Sequence, residues 1–121
     1  MASVGGFLYA TIDAEDPDRL AAFWAAVLDT EIDLVMDDGR YVFLKGSSSI
    51  PVLCFQRVPE PKTQKNRVHL DLSVDDLDAA TVKVEELGGS WPGRNQRQLE
   101  DFEWRTLADP EGNEFDIATG G

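Results

Sequence analysis

The chain has 121 residues, of which 42% are hydrophobic and 28% charged, a composition typical of one soluble globular domain with its own core. Its net charge of −12 argues against nucleic acid or an anionic membrane surface as a partner, because both require clustered Lys and Arg. Cys54 is the one cysteine, which excludes an internal disulfide and favours a reducing, cytoplasmic setting. We expect no signal peptide, since the N-terminus has no basic segment followed by an apolar run, and no membrane span, since no stretch has the required apolar length.

The first half of the chain predicts a strand, a helix and three further strands. Phe7 to Asp13 alternates apolar and polar residues, which is typical of a strand with one buried face. Asp16 and Pro17 suit the start of a helix, and apolar residues follow at helical spacing. The remaining strands are predicted at residues 31–36, 40–45 and 50–57, the first two joined by a turn at 37–39.

The second half begins after a polar, proline-containing connector at residues 58–66. Val68 to Val74 alternates strictly and contains the only histidine, His69, on the polar face of the predicted strand. Asp76 suits the N-cap of a helix that ends at Gly88 and Gly89. The rest predicts a short strand at 90–91, a mobile polar loop at 92–101, and strands at 102–107 and 114–118 joined by a structural turn at 109–113.

The two halves repeat each other with a shift of 60 residues, which aligns Tyr9 with His69 and Asp16 with Asp76. A repeated supersecondary unit is a strong fold signal. We predict a single α+β domain over residues 1–121, built from two βαβββ modules at 6–57 and 67–119. The helix of each module packs outside its sheet, and the mixed, largely antiparallel sheets form a cup with their polar faces.

The strand alternation places a common set of side chains on the faces opposite the helices. A solvent-exposed sheet face is the simpler interpretation, but the aromatic residues and the histidine in the set suit a ligand cavity better. The set consists of Tyr9, Thr11, Gln56, His69, Asp71, Trp104, Thr106 and Asp116.

Three segments of this pattern resemble the vicinal oxygen chelate superfamily, in particular its glyoxalase-like and bleomycin-resistance-like small proteins. They are Thr11 to Trp24, His69 to Leu77 and Leu107 to Phe115. The resemblance implies ligands for a divalent metal ion at Tyr9, Gln56, His69 and Asp116. His69 and Asp116 are good ligands, whereas Tyr9 and Gln56 stand where a histidine and a carboxylate are usual, so the metal set is His69, Asp116 and the weaker Gln56.

The resemblance implies a small-molecule ligand and leaves two functions open, beside a third possibility, a structural or interaction module in which the cup is vestigial. The first is a lyase or isomerase acting on a small oxygenated substrate, with His69 and Asp116 as catalytic acid/base groups or metal ligands. The second is a metal-free protein that sequesters an aromatic or hydrophobic compound. In both cases Tyr9, Thr11, Gln56, Asp71 and Trp104 would contact the ligand. The resemblance also implies a homodimer, which would cover exposed sheet edges.

Overall fold

The first half of the chain folds into a four-stranded sheet and one helix. In the computed structural model, which describes residues 3–120, its elements are β1 (Ala10–Ala14), α1 (Pro17–Leu28), β2 (Ile32–Met36), β3 (Tyr41–Leu44) and β4 (Leu53–Arg57). The strand order is β1-β4-β3-β2, with β1 parallel to β4 and the other pairs antiparallel.

The second half repeats this topology as a separate unit from Glu60 onward. Its order is β5-β8-β7-β6, again with the first pair parallel and the others antiparallel. The predicted α+β class with two βαβββ modules is therefore confirmed. The elements are β5 (Asp71–Ser73), α2 (Leu77–Glu86), a 3-10 turn (Pro92–Arg94), β6 (Arg97–Leu99), β7 (Phe102–Ala108) and β8 (Glu114–Thr119).

Both helices begin at the predicted aspartate caps. The Asp16 carboxylate accepts a hydrogen bond from the Arg19 amide at 3.2 Å, and the Asp76 carboxylate accepts one from the Ala79 amide at 3.1 Å. Each cap satisfies an amide that has no partner inside the helix and contributes about 1 kcal/mol. The caps thus start both helices at matched positions of the repeat.

Each unit has a core between its helix and one sheet face. In the first unit Leu20 and Trp24 of α1 are buried, as are Val42, Leu53 and Phe55 of the sheet. The second core is smaller and includes Val84, Leu107, Phe115 and Ile117. In the central strands, the residues between these buried positions lie on the sheet face opposite the helix, as the alternation predicts.

The first strand of each unit is shorter than its alternation predicts. β1 begins at Ala10 rather than Phe7, and Phe7 and Leu8 are largely exposed. A longer β1 would have to pair with residues 50–52. Pro51 has no amide hydrogen, and the Ile50 carbonyl accepts from the Ser47 amide instead. The predicted strand from Val68 likewise begins only at Asp71, so His69 precedes it.

The prediction for residues 90–101 was wrong in two respects. Ser90 forms only an isolated bridge with Ala108, and the strand next to β7 is Arg97–Leu99, inside the predicted loop. Hydrogen bonds also hold the residues that precede this strand. The Trp91 indole donates to the Asn95 carbonyl at 2.7 Å, and the Asn95 side chain bonds both backbone groups of Thr106 at 2.8 Å. This segment is therefore an anchored part of the sheet.

The predicted turn at Asp109 is built around a buried carboxylate. Asp109 is 4% exposed and accepts hydrogen bonds from the amides of Glu111 and Asn113 at 2.9 and 3.0 Å. Gly112 completes the turn with a φ of 86°, which L side chains rarely adopt. The bonds within the turn agree with its structural role. Across the described residues, no helix has the length and apolarity of a membrane span.

Candidate metal centre

The second unit brings three of the predicted site residues together. His69 Nε2 lies 3.3 Å from Asp71 Oδ1 and 3.3 Å from Asp116 Oδ2. One donor atom from each of the three side chains can be chosen so that all lie within 4.8 Å of one another. The imidazole thus contacts both carboxylates, and the residues form a compact cluster at the start of β5.

Strand register produces this cluster. β5 and β8 are parallel, and Asp71 is the register partner of Asp116, so both carboxylates project from one sheet face. His69 lies two residues before Asp71, just outside β5, and its Nε2 atom reaches both carboxylates. The neighbouring strand β7 places Thr106 opposite Asp116, and the Thr106 hydroxyl donates to Asp116 Oδ1 at 2.7 Å. Asp116 Oδ1 is thereby occupied, and Oδ2 is directed at His69.

The three side chains differ in their exposure to solvent. The side chain of Asp116 is 15% exposed, that of His69 50% and that of Asp71 64%. Partial desolvation and the hydrogen bond with Asp116 raise the pKa of Asp71, and protonated His69 opposes this shift. The cluster is therefore anchored at Asp116 and open to solvent at Asp71.

The donor set suits a divalent cation. Neighbouring ligands of an octahedral ion, each roughly 2.1 Å from the metal, lie about 3 Å apart. The two His69–carboxylate distances of 3.3 Å are close to that separation. One imidazole and two carboxylates leave further coordination positions open, and such nitrogen and oxygen donors suit Mn²⁺ and similar ions. His69, Asp71 and Asp116 could together hold such an ion.

In the first unit, Tyr9 and Thr11 make different contacts. The Tyr9 ring meets the Phe43 ring edge-to-face with centroids 5.1 Å apart. Thr11 shares a hydrogen bond with the Cys54 thiol, and burial raises the pKa of that thiol despite this bond. Cys54 is 1% exposed, so it is a neutral packed thiol rather than an activated nucleophile.

The register also identifies the first unit's counterpart of Asp116. Thr11 corresponds to Asp71 in the repeat, and its partner on β4 is Cys54, whereas the partner of Asp71 on β8 is Asp116. Cys54 thus takes the equivalent place, and Gln56 lies two residues further along β4. The role of Gln56 as a metal ligand stays a prediction and has no support from this correspondence.

Trp104 lies on the same face of the second sheet as the cluster. It is adjacent to Thr106 by alternation, its partner on β8 is Ala118, and its side chain is half-buried. The same face continues to Leu99 and Phe102, which are 64% and 48% exposed. Arg97 shares this face as the partner of Trp104 on β6, so a largely apolar area with one cation follows the acidic cluster along the sheet.

Three residues that hold this unit together were missed by the sequence analysis. Asn66 bonds both backbone groups of Glu114, and Asn95 does the same for Thr106. Arg105 is 7% exposed and donates to Thr81, Asp78 and Gln96. An asparagine in a polar segment gives no periodic signal, whereas an arginine inside the apolar alternation of a strand could have been recognised as a buried, paired cation.

Comparisons with known proteins agree with this architecture. A family model described as "Glyoxalase-like domain" matches residues 9–118. No curated protein matches the chain significantly.

Several solved structures share the fold. An enzyme of the glyoxalase/bleomycin resistance protein/dioxygenase family from Burkholderia phytofirmans has 16% identity and a TM-score of 0.76, covering 94% of this chain and 98% of its own. A mutant of the fosfomycin resistance protein FosX from Listeria monocytogenes, with Mn(II) and 1S,2S-dihydroxypropylphosphonic acid, has 14% identity, a TM-score of 0.78 and coverages of 98% and 93%. FosX from Mesorhizobium loti has 20% identity, a TM-score of 0.71 and coverages of 98% and 95%.

The likeness to these structures, all below 25% identity, shows the fold, and the family match extends over nearly the whole sequence. The chain belongs to the glyoxalase-like domain family.

Proposed function

We propose that this protein binds a small oxygenated substrate at a divalent cation held by His69, Asp71 and Asp116, and that it is a lyase or isomerase of the glyoxalase-like type. The observation that carries the proposal is the position of His69 Nε2, 3.3 Å from a carboxylate oxygen of each aspartate. A bound cation would act as a Lewis acid toward two neighbouring oxygens of the substrate. In this proposal Asp71 takes the place that the sequence analysis gave to Gln56 as the third donor.

Each side chain has a distinct part in this proposal. Asp116 is the most buried of the three and is held by the Thr106 hydroxyl, so it fixes the position of the site. His69 offers a neutral nitrogen donor when Nε2 is deprotonated. Asp71 is the most exposed of the three, which leaves its side of the site open to an incoming substrate.

Structural similarity supports the choice of ion and substrate class. The FosX structure from Listeria monocytogenes contains Mn(II) together with a dihydroxylated phosphonic acid, and its TM-score to this chain is 0.78. A vicinal pair of oxygens is the group that a cation with open coordination positions binds well. We therefore propose Mn(II) as the first ion to examine and small hydroxylated acids as the first substrates.

Metal analysis of protein purified without chelator, followed by titration with Mn(II) at pH 7, tests the proposal. We expect one ion per chain, removed by chelator and restored by addition of the ion. A protein that binds no divalent ion at millimolar concentration would contradict the metal-dependent function. Substrate screening should then compare turnover by the chelated and the reloaded protein.

A metal-free binding protein is the second candidate function. It is favoured by the apolar area of Leu99, Phe102 and Trp104 beside an acidic cluster, and by the net charge of −12, which would attract a cationic aromatic compound. Ligand-induced quenching of tryptophan fluorescence that persists in chelator, without turnover, would favour this function over the first.

We also propose that the protein is a cytoplasmic homodimer. The edge strand β2 exposes a row of apolar residues, Ile32, Leu34, Val35 and Met36, with relative exposures between 41% and 52%. Exposed apolar edge strands are usually covered, because their unpaired backbone groups promote further association. Sedimentation equilibrium is expected to give twice the monomer mass, and Val35→Lys to shift the equilibrium toward monomer. A wild type that is monomeric at 100 μM would contradict the proposal.

A further inference from the structure

His69 occupies an unusual place in the second unit, because it lies outside the strand that carries Asp71. The regular ladder between β5 and β8 covers residues 71–73, and one more bond joins the Asp116 amide to the Leu70 carbonyl. Yet His69 must keep its imidazole within 3.3 Å of Asp116. Some other contact therefore has to hold the segment before residue 70.

The Asn66 side chain provides such a contact. Its Oδ1 accepts from the Glu114 amide at 3.1 Å, and its Nδ2 donates to the Glu114 carbonyl at 3.1 Å. A neighbouring strand would normally satisfy these two backbone groups. The carboxamide of Asn66 thus takes the place of a strand backbone at the start of β8, two residues before Asp116.

The same Nδ2 group also donates to the Val68 carbonyl at 3.1 Å. Val68 immediately precedes His69 and is 80% exposed, so apolar packing does little to hold it. Asn66 therefore joins the backbone next to His69 to the strand that carries Asp116. We propose that Asn66 is a positioning residue that keeps His69 beside Asp116, a role that rests on the proposed cation site.

The sole histidine makes this inference directly measurable. With 15N-labelled histidine, the ring signals of the metal-free protein report on His69 alone. We expect Asn66→Ala to move these signals toward those of a free, solvent-exposed imidazole. Because partners that orient a metal ligand typically contribute about 10- to 100-fold, the affinity for Mn(II) should fall by about that factor.

Lys65→Ala is the matched control. Lys65 pairs with the Glu114 carboxylate at 2.6 Å, but its side chain is 81% exposed and it does not bond the Val68 carbonyl. Surface ion pairs contribute little, so this variant should keep the ring signals and change the affinity by less than about twofold. Equal effects of the two substitutions would overturn the proposal, as would unchanged ring signals in Asn66→Ala.

A second variant separates positioning from folding. Asn66→Asp keeps an acceptor for the Glu114 amide and loses the donor to the carbonyls of Val68 and Glu114, so it should displace the ring signals while the amide signals of β7 and β8 stay dispersed. Unfolding of both Asn66 variants would overturn the proposal in favour of a general structural role. If the wild type binds no Mn(II), the proposed function fails, but the ring signals still decide the role of Asn66.

Discussion

The affinity for Mn(II) is expected to fall by more than about 100-fold when His69 is replaced by Ala or Asp116 by Asn. Residues that only orient a ligand contribute about 10- to 100-fold, so loss of one of three donor groups should cost more. Both side chains supply an atom to the cluster and lie 3.3 Å apart. Isothermal titration calorimetry at pH 7 measures the change. Asp33→Asn is the control: it removes the same negative charge from an exposed position on β2. It should leave the affinity within about twofold of the wild type.

Asp71→Asn distinguishes a binding site from a structural cluster, because its effects on affinity and stability should have opposite signs. Asp71 has a raised pKa in the folded protein, so folding favours its protonated form. Its contribution to stability is therefore present below the unfolded-state pKa and is lost as the pH rises through the folded-state pKa. At pH 7 the variant should melt slightly above the wild type yet bind Mn(II) more weakly. A lower melting temperature at pH 7 would contradict this expectation.

The largest loss of stability is expected for Arg105→Ala, by about 2–4 kcal/mol. The guanidinium donates to Thr81 Oγ1 at 2.9 Å, to Asp78 Oδ1 at 2.7 Å and to Gln96 Oε1 at 3.0 Å. It also lies 4.1 Å from the centre of the Trp91 ring. One side chain thereby joins β7 to α2 and to the segment before β6, and its removal leaves the buried Thr81 hydroxyl without this donor.

Arg94→Ala is a suitable comparison, because Arg94 lies over the same Trp91 ring at 4.9 Å but is exposed. An exposed cation–π contact contributes about 0.5–1 kcal/mol, so this variant should lose no more than that. Urea unfolding of both variants at pH 7 gives the two values. Equal losses would show that the ring contact, rather than the buried hydrogen bonds, accounts for the effect of Arg105.

Local signals made much of the fold predictable from the sequence. A helix cap depends on a few neighbouring residues, so Asp16 and Asp76 could be placed from their own surroundings, and the structure confirms both. The repeat of 60 residues then supplied the βαβββ order. The turn before β3 followed from composition in the same way, and Asp37, Asp38 and Gly39 all have positive φ there.

Features that depend on distant partners could not be read in this way. β6 has only three residues, two of them polar and all exposed, so it has no alternation to reveal it, and it forms beside β7. The alternating pattern also extends before the first residues of β1 and β5. Alternation indicates which side a residue faces and not whether its backbone has a partner. Asp71 and Asp116 were both placed on the correct face, but their contact with His69 required the register of β5 on β8.

The matched registers of β1 on β4 and of β5 on β8 give the protein an internal reference. At the positions of His69, Asp71 and Asp116, the first unit carries a phenol, a hydroxyl and a neutral thiol, from Tyr9, Thr11 and Cys54. One polypeptide therefore contains both a charged cluster and its uncharged counterpart at the same register positions. A spectroscopic measurement of cation binding can compare the two. For protein engineering, the same correspondence identifies residues 9, 11 and 54 as the positions at which to introduce a second cluster.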